Sequence, residues 1–253
     1  MSAEPSHLSR IETLWSVVRR AHDGSKDNVR AAQQALLERY GGAVRKYLLA
    51  SLRDADAADE VFQEFALRFA RGDFRSADPA RGRFRDFVKA ALFHLIVDFR
   101  RLRGRRLQPL VDVADESAEH DLCDDESFHR SWRQELLDRS WAALAEQERR
   151  HGTPFYSALR LLVDDPRRSS QDVAAELTQQ RGKPVTAGNL RVLIHRARKL
   201  FADELVQEVA QSLDSPSSDD IERELIDLDL LEYCRTALDR LRTSQSAVES
   251  ETS

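Results

Sequence analysis

Between Phe84 and Gly104 the chain contains neither glycine nor proline, and its apolar residues Phe84, Phe87, Val88, Ala91, Leu92, Leu95, Phe99 and Leu102 recur at steps of three and four. That spacing predicts a helix with one stripe turned towards a core. The opposite side of the wheel holds Lys89, Phe93, Val97 and Arg100, and the helix ends in Arg100, Arg101, Arg103, Arg105 and Arg106. Two environments satisfy such a face. A nucleic-acid base stacked on Phe93, with phosphates near Lys89 and Arg100, would contribute roughly 1 to 3 kcal/mol. Alternatively, Phe93 lies under another helix and the arginines are a solvated helix end that answers the macrodipole.

The composition agrees with a helical chain. Charged residues make up 33%, mean hydropathy is −0.55, and there are nine glycines and seven prolines, unlike a β-sandwich or barrel. The expected fold is all-α, with two helical domains joined by an acidic flexible linker and the second domain containing a helix-turn-helix. The expected boundaries are 1–106 for the first domain, 107–127 for the linker, 128–211 for the second domain and 212–253 for a helical extension and disordered tail. No apolar run approaches the twenty or so residues of a membrane span. The opening MSAEPSHLSR lacks the basic-then-apolar order of a signal peptide, so a cytoplasmic location is expected. Cys123 and Cys234 belong to no ligand-spaced group, which argues against a zinc site or a disulfide framework, and no cofactor is expected.

Net charge is −5, but the charge is segregated. Arg75 to Arg106 holds ten basic and three acidic residues; Asp112 to Glu126 holds eight acids and no base; Arg181 to Lys199 holds six bases and no acid. Two basic islands separated by an acidic stretch suggest two nucleic-acid contacts and a connection.

Taken in order, Leu8 to Val18 reads as a helix, Val29 to Tyr40 as a second, and Gly41-Gly42 as a break before a third through Val44, Tyr47, Leu48 and Leu52. In the helix from Asp56 to Ala70, the residues Ala58, Val61, Phe62, Phe65, Ala66 and Phe69 form the core side. On the other side Asp56, Asp59, Glu60, Gln63 and Glu64 surround Leu67. A leucine centred on an acidic face has the form of a protein-binding patch, in which charge steers a basic partner and the apolar centre makes the contact. It is also what an ordinary solvated face can look like. A metal ion held by Asp59, Glu60 and Glu64 is a third reading, but the Glu-x-x-His partner of such helical sites is missing.

In the second half, Trp132, Leu136, Leu137, Trp141 and Leu144 mark one helix and Phe155, Leu159, Leu162 and Val163 the next. Ser169 to Leu177 gives a short serine-capped helix with Val173, Ala174 and Leu177 inside. Thr186 caps a longer one whose core stripe is Leu190, Leu193, Ile194, Ala197, Leu200 and Phe201. Its opposite face is Arg191, Val192, His195, Arg196, Arg198 and Lys199. A short helix, a connection and a basic amphipathic helix is the layout of a helix-turn-helix. Ser212 to Asp220 reads as a linker, Ile221 to Leu241 as one amphipathic helix, and Thr243 to Ser253 as disordered.

Together these pieces resemble the sigma-70 family of bacterial transcription initiation factors, in its small extracytoplasmic-function class. The residues Ala58-Asp59-Glu60-Val61-Phe62-Gln63-Glu64 match the family's acidic D-A-x-D-x-x-Q-E helix. Phe84, Phe87, Val88, Asp98, Arg100 and Arg101 match its F-x-x-W-L helix ending in D-x-x-R-R. Asn189-Leu190-Arg191-Val192-Leu193-Ile194-His195-Arg196-Ala197-Arg198-Lys199 matches its recognition helix, with HRARK the strongest short match. Phe87 stands where the family usually has tryptophan and His94 where it often has asparagine. The connection TQQRGKPV, between Leu177 and Thr186, is longer than usual. The Trp132 helix and the acidic tail beyond Val209 look like those of sigma factors from planctomycete-type bacteria.

The resemblance implies a non-enzymatic subunit that binds core RNA polymerase, directs it to promoter DNA and assists melting. It assigns Asp56, Asp59, Glu60, Gln63, Glu64 and Leu67 to core polymerase. Phe87, Lys89, Phe93, His94, Arg100, Arg101, Arg103, Arg105 and Arg106 go to the melted promoter, and Thr186, Asn189, Arg191, Val192, His195, Arg196, Arg198 and Lys199 to the duplex. The acidic linker would thread the polymerase's nucleic-acid channel. An anti-sigma factor, a regulatory kinase or the chain's own tail are open as controls. The alternative from another class is a stand-alone helix-turn-helix regulator that binds DNA without polymerase. For an enzyme, no phosphate loop, nucleophile arrangement or metal-ligand spacing is found.

Overall fold

A computed structural model describes residues 26–71, 73, 83–107, 125–213 and 216–251, and every regular element among them is an α-helix. The helix expected over Leu8 to Val18 and nearly all of the acidic stretch 107–127 lie outside the described residues. No described helix is long and apolar enough to cross a membrane. The described residues divide into two compact units. One takes the residues up to Glu135 together with Ala210–Asp220, and the other takes Leu136–Val209 together with the residues from Ile221 on.

In the first unit α1 spans Lys26–Leu52 and runs straight through Gly41-Gly42, which were expected to separate two helices. Glycine inside a helix costs roughly 0.5–1 kcal/mol relative to alanine. Close approach explains it here. A Cβ on Gly41 would sit 3.3 Å from the Phe62 ring, and one on Gly42 would overlap the Glu135 carboxylate. α1 stops where Arg53 adopts a left-handed φ of 53°. Asp54 then opens α2 (Ala55–Arg71) by accepting from the Ala57 N–H at 3.1 Å, an N-cap arrangement.

α3 spans Phe84–Leu107. Its buried face is turned from the expected stripe: Phe84, Arg85, Val88, Leu92, Leu95 and Ile96 are inside, Phe87, Ala91 and Phe99 are half-buried, and Leu102 is 60% exposed. Val97, placed by the wheel on the outer side, is buried too. The physical reason is that α3 meets both α1 and α2, and two neighbours cover a wider arc than one stripe.

α4 spans Asp125–His151, so the expected domain start at 128 falls inside a helix. Its first turns complete the core of the first unit. Trp132 is fully buried and stacks on Tyr40 at 4.7 Å between centroids, while Phe128 meets Tyr47 edge-on at 5.1 Å. Aromatic side chains bury about 150–250 Å² each, so this docking is a main source of the unit's cohesion.

The second unit contains α5 (Phe155–Asp164), α6 (Ser170–Arg181) and most of α7 (Ala187–Gln211). Ala158, Val173, Ala174, Leu177, Leu190 and Ile194 form one buried cluster of these three helices. α6 is capped by Ser169, whose side chain accepts from the Asp172 N–H, and ends at Gly182 with φ 65°. Half of the long TQQRGKPV connection is therefore a further turn of α6.

The expected single helix over Ile221 to Leu241 is two, α8 (Ser218–Asp227) and α9 (Leu231–Glu251). Asp229 breaks it with a left-handed φ of 54°. The Leu230 N–H donates to Leu225 O at 2.8 Å and the Asp229 N–H to Ile226 O at 3.0 Å, the paired bonds of a Schellman ending. The segment 212–220, expected as a linker, supplies the Ser217 cap of α8, whose hydroxyl oxygen accepts from the Asp220 N–H at 3.2 Å. The tail expected to be disordered is helical as far as Glu251. Within this unit α9 is tied to α7 by Arg240 on Asp203 at 2.5 Å and to α8 by Arg242 on Glu222 at 2.6 Å.

Candidate nucleic-acid interface

The sequence Ala187 to Lys199 dictates a two-faced helix, and the fold uses both faces. Leu190, Ile194 and Ala197 are buried, with Leu193, Leu200 and Phe201 half-buried beside them. Outward, two rows run along the helix at steps of four and three. Arg191, His195 and Arg198 form one and Val192, Arg196 and Lys199 the other, and all six are exposed. Thr186 Oγ1 accepts from the Asn189 N–H at 3.2 Å, so the helix starts where the sequence expects its cap. Thr186 and Asn189 are exposed at this amino end.

The turn from α6 to α7 is held from inside. Thr178 Oγ1, one helical turn before Gly182, accepts from the Val185 N–H at 2.9 Å. Arg181, one of the six cations of this island, turns inward: its guanidinium donates to Gly152 O and lies 3.8 Å from Glu148. The cations that remain on the surface are those of α7 and Lys183.

On α3 the residues assigned to melted DNA separate into two groups. His94, Arg101 and Arg103 are exposed, and Phe93 is half-buried with its ring 5.6 Å from that of His94. Arg100 does something else. Its Nη2 donates to Ser51 O at 2.8 Å, satisfying a carbonyl of the last turn of α1, and its Nη1 is buried. Lys89 pairs with Asp125 at 2.5 Å, and Phe87 is half-buried 6.4 Å from Phe84. Phe93 is thus not the freely exposed ring that the wheel predicts. Arg105 and Arg106 belong to α3, and their side chains lie outside the described residues.

On α2 the residues Asp56, Glu60, Gln63 and Leu67 follow one another at steps of four, three and four along one line, with Asp59 beside it. All five are exposed, Leu67 to 43%. Glu64 is half-buried and pairs with Arg68 at 2.8 Å, which neutralises it within its own helix. At one end of this line lies a cavity of about 260 Å³ where Asp54, Asp56 and Glu60 meet Phe99, Leu102 and Arg103. Asp54, absent from the sequence prediction, connects the two helices. It pairs with Arg103 at 3.0 Å, and the Ala57 N–H and then Arg103 hold its carboxyl below the ordinary value. Its place just before a helical run was the available signal.

Comparison with protein-family models, curated proteins and solved structures finds no match to this chain. The site therefore rests on its own geometry. The candidate surfaces are separate: an exposed basic helix face in one unit and, in the other, a smaller cationic face on α3 and an acidic line centred on Leu67. Among the described residues no group of three or more His, Cys, Asp or Glu is placed to share a metal ion.

Proposed function

We propose that the protein is a transcription initiation factor of the sigma type, which binds core RNA polymerase, directs it to promoters and assists their opening. The observation that carries this reading is the exposure of the whole outer face of α7, capped at Thr186, on a three-helix core. A helix with a capped, exposed amino end and cations along its length suits the major groove: side chains near the amino end reach base edges, and those further along reach phosphates. Arg191, with Asn189 beside it, is the base-reading candidate, and Arg198 and Lys199 are the phosphate contacts. In the first unit, Phe93, His94 and Arg101 form the face for an unpaired strand, with Arg103, paired to Asp54, at its edge, and the line through Asp56, Asp59, Glu60, Gln63 and Leu67 is the polymerase contact. Arg100 and Lys89 support α3 and do not touch DNA in this reading.

The deciding experiment is co-purification of the full chain with core RNA polymerase, followed by transcription from promoters selected by the reconstituted enzyme. Leu67→Asp should abolish polymerase binding with the melting temperature nearly unchanged, since surface substitutions usually shift stability by about 0.5 kcal/mol or less. A chain that shifts duplex DNA equally well with and without polymerase, and never co-purifies with it, would instead be a stand-alone regulator.

A further inference from the structure

We propose that the protein associates with itself head to tail, the turn between α8 and α9 of one copy seating on the basic face of α7 of another. Two surfaces of the second unit motivate this. At the α8–α9 turn, Tyr233 is 74% exposed and Ile226 52%, and Asp227, Asp229 and Glu232 are exposed between them, with no basic residue from Ile226 to Tyr233. On α7, Val192 is 54% exposed among the exposed Arg191, His195, Arg196 and Lys199, with no acidic residue from Ala187 to Ala202. Each surface is an uncovered apolar centre; the rim on α7 is basic, and the rim at the turn is acidic on balance, with Arg223 and Arg235 at its edges. That is the complementarity that steers encounter and fixes register at interfaces.

The turn is also built to be rigid. Leu228 and Leu230 are buried beneath it, and three backbone hydrogen bonds of 2.8 to 3.1 Å, from Leu228, Asp229 and Leu230 to Glu224, Ile226 and Leu225, close it. A preorganised projection loses little conformational freedom on docking. Both surfaces are exposed within one chain, so neither covers the other, and a contact between them must be made between copies. Such a contact joins different patches of the two partners and is heterologous. A contact between one turn and one face of one helix belongs with weak contacts, which bury less than about 1,200 Å² in total. Association is therefore concentration-dependent and sensitive to salt, because the Debye length falls from about 10 Å at 0.1 M to about 3 Å at 1 M. A copy whose α7 face is occupied cannot present that face to DNA. The inference depends on the two surfaces and not on the reading of function, so failure of the chain to bind polymerase leaves it standing.

Sedimentation equilibrium of the full chain tests it. At 0.1 M salt the apparent mass should rise above the 28.9 kDa of one chain as concentration increases, and at 1 M it should return to that value. Tyr233→Glu and Val192→Glu should each weaken association at least tenfold, with unchanged circular dichroism melting. An equimolar mixture of the two variants should associate again, because one supplies an intact α7 face and the other an intact turn. A short DNA duplex should disperse the wild-type assembly. A single-chain mass at every concentration in 0.1 M salt overturns the proposal. So does a mixture that stays apart while the wild type associates, or an assembly that binds duplex without dispersing.

Discussion

A guanidinium that satisfies a helix-terminal carbonyl is held by the protein and is poorly placed to grip a phosphate, and this separates neighbouring arginines of α3. Arg100 donates to Ser51 O with its other nitrogen buried, whereas Arg101 is exposed. Arg100→Ala should destabilise the fold by about 0.5–1.5 kcal/mol, the net worth of its hydrogen bond to the half-buried end of α1. Arg101→Ala should stay within about 0.5 kcal/mol. Urea denaturation of the two variants measures the difference, and equal midpoints would remove the structural role of Arg100. His129, near Asp125 and Lys89, gives a second prediction. Burial first, and then the positive charges of Arg85 and Lys89, hold its imidazole below the ordinary value of 6.5, against the weaker upward pull of Asp125 and Asp86. A depressed folded value means the neutral form stabilises the fold above pH 6.5, and this contribution is lost as pH falls through the folded value. The melting temperature of wild type should therefore fall more between pH 7 and 5 than that of His129→Gln.

At the scale of elements, the informative case is the ending of α8. An L-residue in the left-handed region is strained, and Asp229 holds φ at 54° because Leu228 and Leu230, on either side of it, are both buried. Substituting alanine or glycine removes the carboxylate equally but leaves a Cβ only in the first. Asp229→Gly should thus be about 1 kcal/mol more stable than Asp229→Ala, as thermal denaturation can show. If the two melt together, the turn is not strained. The Gly41-Gly42 pair follows the opposite logic, since those glycines sit in an ordinary helix and give room to Phe62 and Glu135. Sequence alone does not distinguish a glycine that breaks a helix from one that admits a neighbour.

For the whole molecule, charge segregation matters more than the total. A chain of net charge −5 gains little from coating DNA, so binding must come from the local field of α7. Lys199→Ala should weaken every duplex alike and reduce the slope of log affinity against log salt by roughly one unit. Arg191→Ala should instead cost about 1–3 kcal/mol on the preferred sequence and relax preference at one position. Fluorescence anisotropy on a panel of duplexes at several salt concentrations separates the two, and identical losses on every duplex would mean that α7 reads no bases.

Local chemistry was legible in the residues themselves. The stripe Ala58, Val61, Phe65 and Phe69, the two faces of α7, and the caps at Ser169 and Thr186 each depend on side chains within a turn or two of one another. Helical period and capping are properties of such short stretches. What covers a face depends on distant residues. Arg100 finds its acceptor 49 positions away, and Trp132 completes a core with Tyr40 and Phe84. The width of the buried arc of α3, the continuity of α1 through its glycines and the break at Asp229 were decided by such neighbours. Burial is a relation between segments, and no single segment carries its other half.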